Sequence, residues 1–229
     1  MSSVRQVPVL ISIGLSSGFH KDVLVSSLAQ QESGNKVAGL PDGRRQRSER
    51  SKQAIIDASL ELMEEGILVP TAQLISERAG VGIRSFFRHF ADMETLFSTI
   101  EEEKRESTEA LFVGGDREGT LEERILHAIQ RHADGYENQK NTILSTAAQS
   151  WRYEILRKNY ARYQRGLRRD LEDWLPELKQ LPRAQREAVD AVASFEMWHR
   201  LREHQGLGKK QSIEIVVFMI SGILQASST

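Results

Sequence analysis

The chain has 229 residues, 39% of them hydrophobic and 28% charged, proportions typical of a globular protein with one large domain or two small ones. It contains no cysteine, so disulfide frameworks, thiolate metal sites and cysteine nucleophiles are excluded. The formal net charge is -1, from 31 basic and 32 acidic residues, so overall charge does not indicate a nucleic-acid partner.

The first 43 residues are rich in serine and glycine and lack a sustained helical period, so we interpret them as a flexible N-terminal extension. Inside this segment, residues 14–18 match the G-x-S-x-G turn of serine hydrolases, with Ser16 as the nucleophile. Such a turn requires a multi-stranded sheet, whereas the rest of the sequence predicts helices. A hydrolase is therefore the weaker alternative, and we predict that the protein is not an enzyme and binds no metal or cofactor.

A basic cluster follows this extension. Residues 44–52 hold five basic side chains against the single acid Glu49, which gives a local charge of +4 in a nearly neutral chain. The cluster stands in front of the first apolar helical pattern. We therefore expect Arg44, Arg45 and Arg47 to form a basic arm that lies along the backbone or minor groove of a nucleic acid.

From Ser51 onward, apolar residues recur at helical spacing and no stretch alternates strictly enough for a strand, so the predicted fold class is all-α. The first helix carries Ile55, Ala58 and Leu62 on one apolar face, and Gly66 lies just past its end. Asp92 is expected to open a fourth helix that reaches about residue 113. Further helices are predicted over residues 120–137, 141–151, 153–175, 183–204 and 209–226.

Residues 71–90, TAQLISERAGVGIRSFFRHF, have the organisation of a helix-turn-helix. Thr71 is a natural cap for a short second helix over residues 71–79, Gly80 provides the turn, and a third helix runs over about 82–90. A helix that enters the major groove must present polar or basic side chains near its N-terminus, as Arg84 and Ser85 would here. The segment therefore predicts a DNA-reading helix.

The stretch from Gln53 to Glu94 resembles the N-terminal domain of the TetR family of transcriptional regulators. The matching residues are Ile55, Ala58, Leu62, Gly66, Thr71, Ile75, Ala79, Gly80, Val81, the run Phe86-Phe87-Arg88-His89-Phe90, and Glu94. The resemblance implies that the third helix reads bases and that Phe87 and His89 contact phosphates. Gly82, Phe87 and Met93 depart from the family pattern, in which Ser or Thr, Tyr and Lys are usual. The expected DNA-binding residues are Arg44, Arg45, Arg47, Thr71, Gly82, Ile83, Arg84, Ser85, Phe87, Arg88 and His89.

After the extension at residues 1–43, the resemblance implies a DNA-binding domain at 44–92 and a helical domain at 93–229 that binds a small effector and dimerises. The candidate ligand contacts are the aromatic and imidazole side chains of Phe112, His127, His132, Tyr136 and Trp151. The candidate dimer contacts are apolar residues of the last two helices: Val192, Phe195, Ile213, Val217, Ile220 and Leu224.

The sequence thus predicts a cytoplasmic, homodimeric repressor that binds double-stranded operator DNA and is released by a small, mostly apolar molecule. The alternative from another class is a helical DNA-binding protein that a protein partner controls without any small ligand. A structure without a cavity beside the fourth helix would favour that alternative.

Overall fold

The computed structural model describes residues 43–112 and 114–226, and within these ranges the chain forms helices and connecting turns, with no strand. The all-α prediction is therefore confirmed. The helices are α1 (Gly43–Glu64), α2 (Ala72–Arg78), α3 (Ile83–His89), α4 (Met93–Ala110), α5 (Leu121–Gln149), α6 (Glu154–Trp174), α7 (Arg183–Ala193), α8 (Phe195–His199) and α9 (Lys209–Gln225). A short 3-10 helix covers Pro176–Gln180, and a π-helical turn covers Arg200–His204. No helix in these ranges is long and apolar enough to cross a membrane.

The first three helices pack around a small apolar core, into which α1 turns the face predicted from its helical spacing. The buried members of this core are Ile55, Ile56, Ala58, Leu62, Ile75, Phe86, Phe90 and Leu96. Leu96 comes from the first turn of α4, and Ile100 one turn later packs against the same core. The N-terminal end of α4 is therefore packed as part of the first core.

A second, larger core forms where α5 packs against α6 on one side and α9 on the other. Its largest fully buried side chain is Trp174, which is 1% exposed. The core also encloses a charged group, the carboxylate of Asp170, which is 8% exposed. Asp170 Oδ1 accepts from Arg117 Nη2 at 2.7 Å, and Asp170 Oδ2 lies 3.0 Å from His132 Nε2, so the buried carboxylate is paired.

One predicted break in the helices does not occur, and one observed break was not predicted. The break expected between residues 137 and 141 does not occur, because α5 runs without interruption for 29 residues. The polar residues at this point include neither glycine nor proline, and polar side chains alone do not end a helix. Conversely, the helix predicted over 183–204 is interrupted at Ser194, whose backbone is extended and whose Oγ accepts from the backbone N–H of Met197 to begin α8.

The expected location of the basic cluster, in front of the first helix, is also wrong. Helix α1 begins at Gly43, so Arg44, Arg45 and Arg47 lie within its first two turns. The segment contains Arg, Gln, Glu and Lys, all of which are good helix formers, and it continues the helix although it has no apolar face to bury. These basic side chains therefore project from a regular helix in fixed directions.

Candidate functional site

The turn between α2 and α3 is built by caps and one glycine. Thr71 Oγ1 accepts from the backbone N–H of Leu74 at 3.2 Å, which caps α2 as predicted. Gly80 has a φ of +66°, a left-handed conformation that favours glycine, and the following Val81 N–H donates to the carbonyl of Ser76 at 3.0 Å. Helix α3 then begins at Ile83 after Gly82, which offers no side chain to cap it.

Helix α3 is anchored by Phe86 and Phe90, which are 0% and 1% exposed. With that face buried, Arg84, Phe87 and Arg88 lie on the opposite, exposed face, and Phe87 is 53% exposed. Ser85 and His89 are partly buried, and Arg88 Nη2 donates to Ser85 Oγ at 3.3 Å. The exposed face is therefore basic and includes one aromatic ring, which suits a helix that docks on a polyanion.

His89, at the end of α3, lies close to the basic part of α1. Burial lowers the pKa of its imidazole, and the nearby charges of Arg88 and Lys52 lower it further, while Glu49 opposes them. The Nε2 atom of His89 is buried and has no hydrogen-bond partner among the described residues. A phosphate oxygen at this position would provide a partner for that nitrogen.

A cavity of about 300 Å³ lies between the two cores, beside α4. Its lining comes from α1, α4, α5 and α6 together with single side chains such as Phe195 of α8. Phe112, Tyr136 and Phe195 form an aromatic wall, with the ring centroids of Phe112 and Tyr136 5.9 Å apart and those of Tyr136 and Phe195 5.6 Å apart. The size falls at the lower end of the range of small-molecule sites.

Three charged side chains line the cavity, and the least exposed of them is paired. Glu101 of α4 is paired with Arg162 of α6 and accepts from the hydroxyl of Tyr163 at 3.2 Å. Burial, together with the charge of Glu101, raises the pKa of Tyr163 to about 12, so its hydroxyl stays protonated at neutral pH. Glu64 and Lys104 line the cavity as exposed side chains, and most of the other polar lining groups are amides and hydroxyls.

The structure brings together only two of the five candidate ligand contacts, Phe112 and Tyr136, both in the cavity wall. His132 is 1% exposed and is held by Asp170 behind that wall. His127 is exposed on α5, with its ring edge-on to Trp174 at 6.4 Å. Trp151 is 82% exposed in the turn after α5. His132, His127 and Trp151 therefore lie outside the cavity lining. Helical spacing alone does not show which face of α5 is turned toward the cavity.

Sequence reasoning missed a polar stripe on α5 that faces the cavity and the end of α1. Ser145 Oγ donates to the carbonyl of Leu68 at 2.9 Å, and Gln149 Nε2 donates to the same carbonyl at 3.0 Å. Asn141 Nδ2 donates to the carbonyl of Glu64, the last residue of α1, at 2.7 Å. The signal that could have revealed the stripe is the recurrence of polar residues at 141, 142, 145, 146 and 149, one face of a helix. We call Ser145, Gln149 and the carbonyl of Leu68 the α5 clasp.

Besides the pair of Glu101 and Arg162, a hydrogen bond joins the first turn of α4 to the first turn of α6. The carboxylate of Glu94, in the first turn of α4, accepts from the backbone N–H of Ile155 in the first turn of α6 at 3.1 Å. An N–H at this position has no partner within its own helix, so the carboxylate satisfies a donor that would otherwise need water.

The candidate dimer residues belong mainly to the core of one subunit. Phe195, Ile213, Ile220 and Leu224 are between 0% and 8% exposed and pack with α5 and α7. Val192 and Val217 are partly buried against the same core. Four of the six residues in the apolar repeat are therefore buried within the chain itself. The exposed face of α9 instead carries Phe218, which is 78% exposed.

Two further predictions concern the serine of the hydrolase alternative and the binding of a metal ion. Ser16, the nucleophile of the hydrolase alternative, lies outside the described residues. Across residues 43–112 and 114–226, no three side chains of the metal-binding types come close enough to hold a metal ion.

Comparison with known proteins bears on the first core. Residues 55–100 match the model of the tetR family of bacterial regulatory proteins. A transcriptional regulator from Rhodococcus sp. Rha1 has a similar structure, with a TM-score of 0.58 and 16% identity over 80% of this chain and 98% of that one. A TetR transcriptional regulator from Rhodococcus sp. RHA1 gives a TM-score of 0.44 and 15% identity over 79% of this chain and 98% of that one. No curated protein matches at a significant level.

The family match runs from α1 through α2 and α3 into the first half of α4. It therefore covers the helix-turn-helix, its anchoring phenylalanines and the basic face of α3. The Rhodococcus structure with the higher TM-score shares the fold over nearly its whole length. Residues 55–100, which contain the helix-turn-helix, are therefore similar to the domain that defines the tetR family of bacterial regulatory proteins.

Proposed function

We propose that the protein is a cytoplasmic, homodimeric repressor that binds operator DNA and dissociates from it when a small molecule binds in the cavity beside α4. The observation that carries this proposal is the origin of the cavity lining. Leu60, Met63 and Glu64 come from α1 of the DNA-binding domain, whereas most of the other lining residues come from α4, α5 and α6. A ligand in this cavity would contact both parts of the molecule and would bias their relative position.

The exposed face of α3 supports duplex recognition. Arg84 lies in its first turn, where a side chain can reach base edges in the major groove, and Arg88 and His89 lie at its other end, where phosphates pass. The basic side chains in the first turns of α1 add contacts to phosphates that raise affinity for any sequence. Arg84 and Ser85 would then carry most of the sequence preference.

Two copies of α3 are needed to read both halves of a symmetric operator. The exposed face of α9 supports the pairing of two subunits, because Phe218 projects from it and is flanked one turn on by Gly222, whose Cα faces open space. A two-fold contact that buries Phe218 would remove a large apolar side chain from water on each subunit.

The experiment has two steps. Operator sequences are first selected from random duplex DNA with the purified protein, and neutral aromatic metabolites are then screened by thermal shift with and without the selected operator. By linkage, a compound that weakens operator binding tenfold must bind the free protein tenfold better than the complex, a coupling of roughly 1.4 kcal/mol. A compound that binds both forms equally would not be the effector. If no compound in a broad screen binds, control by a protein partner would replace control by a ligand.

A further inference from the structure

We propose that the α5 clasp transmits ligand binding in the cavity to the DNA-binding domain. We further propose that the effector carries an uncharged oxygen acceptor, which competes with the Leu68 carbonyl for the two donors of the clasp. This inference rests on the proposed function above, since it specifies how the same cavity acts. The acceptor would be a carbonyl, hydroxyl or ether oxygen at the end of the ligand nearest α1.

The clasp gathers two buried donors on one main-chain acceptor. Ser145 and Gln149 are 0% and 3% exposed, both line the cavity, and both donate to the carbonyl of Leu68. Gln149 Nε2 also lies 3.1 Å from Ser145 Oγ, so the two side chains form one small network. Leu68 belongs to the loop between α1 and α2, three residues before Thr71, the cap of α2. The clasp therefore fixes the approach to the helix-turn-helix.

The burial of these donors determines which ligands can open the clasp. A buried N–H or O–H that loses its partner costs free energy unless another acceptor replaces that partner. A ligand made only of hydrocarbon offers no acceptor, so the clasp stays closed around it. A ligand with an oxygen acceptor can take one or both donors at little net cost and release the Leu68 carbonyl to solvent.

The charge of the lining indicates that this acceptor is uncharged. The acids Glu64 and Glu101 line the cavity against the single cation Lys104, which lies exposed and has no ion pair among the described residues. Glu101, the least exposed of the three, is already paired with Arg162. A carboxylate ligand would add a further negative charge to a lining that already holds two acids and one cation. The remaining polar lining groups near the clasp are neutral and include Thr142 and Thr146.

The first test compares two glutamines of α5 that both line the cavity. Gln149→Ala removes a clasp donor, whereas Gln139→Ala removes a glutamine that makes no hydrogen bond to the α1–α2 loop. Gln149→Ala is expected to weaken binding to the selected operator by about fivefold to tenfold and to speed amide exchange over residues 66–70, as a partial mimic of the effector. Gln139→Ala is expected to change neither. Ser145→Ala is a second clasp variant that repeats the test if Gln149→Ala unfolds.

The second test uses the absence of cysteine. Thr142→Cys places a single thiol in the cavity one turn before Ser145, where methanethiosulfonate reagents attach a chosen group. A 2-acetamidoethyl group brings a neutral carbonyl toward the clasp, and an n-pentyl group fills similar space without an acceptor. We expect the acetamidoethyl form to bind operator about tenfold more weakly and the pentyl form to change binding by less than about threefold. In the Gln149→Ala background both labels are expected to have the small effect.

The outcomes separate the two proposals. If neither label changes operator binding in any background, the cavity does not control DNA binding, and both the proposed function and the clasp are refuted. If both labels weaken operator binding equally, with and without Gln149, the cavity controls DNA binding by another route. In that case only the proposal about the clasp is refuted. An acetamidoethyl effect that disappears in Gln149→Ala supports the clasp.

Discussion

Gly135 and Gly166 both lie inside helices, but they differ in what an added methyl group would meet. A Cβ on Gly135 of α5 would lie 2.2 Å from Cε1 of Phe112 and 2.7 Å from Cδ1 and Cζ of the same ring. A Cβ on Gly166 of α6 would meet nothing within 4 Å. The two glycines therefore provide a matched pair of Gly→Ala substitutions. Alanine raises helix propensity equally at both positions, and its methyl group meets a close neighbour only at Gly135.

The expected magnitudes follow from these distances. Alanine in place of a mid-helix glycine stabilises by about 0.5–1 kcal/mol, which is the whole effect expected for Gly166→Ala. Two carbons pack at about 3.5–4.0 Å, so Gly135→Ala would push the Phe112 ring more than about 1 Å. The ring is wedged beside His132 and Tyr136, at centroid distances of 6.2 and 5.9 Å, and its remaining freedom is toward the cavity. Overpacking of this kind costs about 1–3 kcal/mol, so the net loss after the gain in helix propensity is up to about 2.5 kcal/mol.

Urea denaturation of both variants, followed by circular dichroism at 222 nm, measures the difference. Gly166→Ala should raise the unfolding midpoint and Gly135→Ala should lower it, with similar slopes. Because the displaced ring would enter the cavity, Gly135→Ala should also weaken the binding of any cavity ligand that Gly166→Ala leaves unchanged. If Gly135→Ala stabilises the protein as much as Gly166→Ala does, the close approach of Phe112 to α5 is not real and this reasoning is refuted.

Four further outcomes are expected. Arg84→Ala should cost about 1–3 kcal/mol on the selected operator and relax the preference at one base pair, and equal affinity in a fluorescence titration would contradict its role in base reading. Phe218→Asp should give a monomer with retained helicity in sedimentation, whereas an unchanged dimer would place the interface elsewhere. A phosphate against His89 would raise the pKa that burial lowers in the free protein, so operator affinity should rise as pH falls from 8 to 6, and His89→Gln should flatten that dependence. Asp170→Ala should lower stability by about 2–4 kcal/mol in urea titrations, because it leaves a buried imidazole donor unpaired; a loss below about 1 kcal/mol would show that water replaces the carboxylate.

Local chemistry made the first core predictable. Thr71 and Asp92 were identified as caps from residue type and position, and each accepts the expected backbone N–H. The two short helices and the glycine turn between them were also located within a residue or two. These features depend on contacts between residues three or four apart, and such contacts are visible in the sequence.

The larger domain was less predictable because its site is assembled from distant helices. The period of α5 shows that it has several faces, but it does not show which face meets α1 and α4. Trp151 was chosen as a ligand contact for its aromatic side chain, yet it lies in a turn that no other helix covers. Conversely, neither its residue type nor its position in the sequence singled out Gln149. Its role is visible only in the structure, where its amide nitrogen lies 3.0 Å from the carbonyl oxygen of Leu68.

The α5 clasp holds the α1–α2 loop at Leu68 through the main chain and not through the side chain, which is partly turned to solvent. A carbonyl oxygen is present whatever residue occupies the position, so the joint places little demand on the sequence of the loop. Under the proposed function, recombination between related regulators would therefore exchange the DNA-reading helices while the cavity kept its own ligand specificity. The same property would make this loop a practical crossover point for chimaeric sensors, in which a new operator is combined with the proposed ligand response.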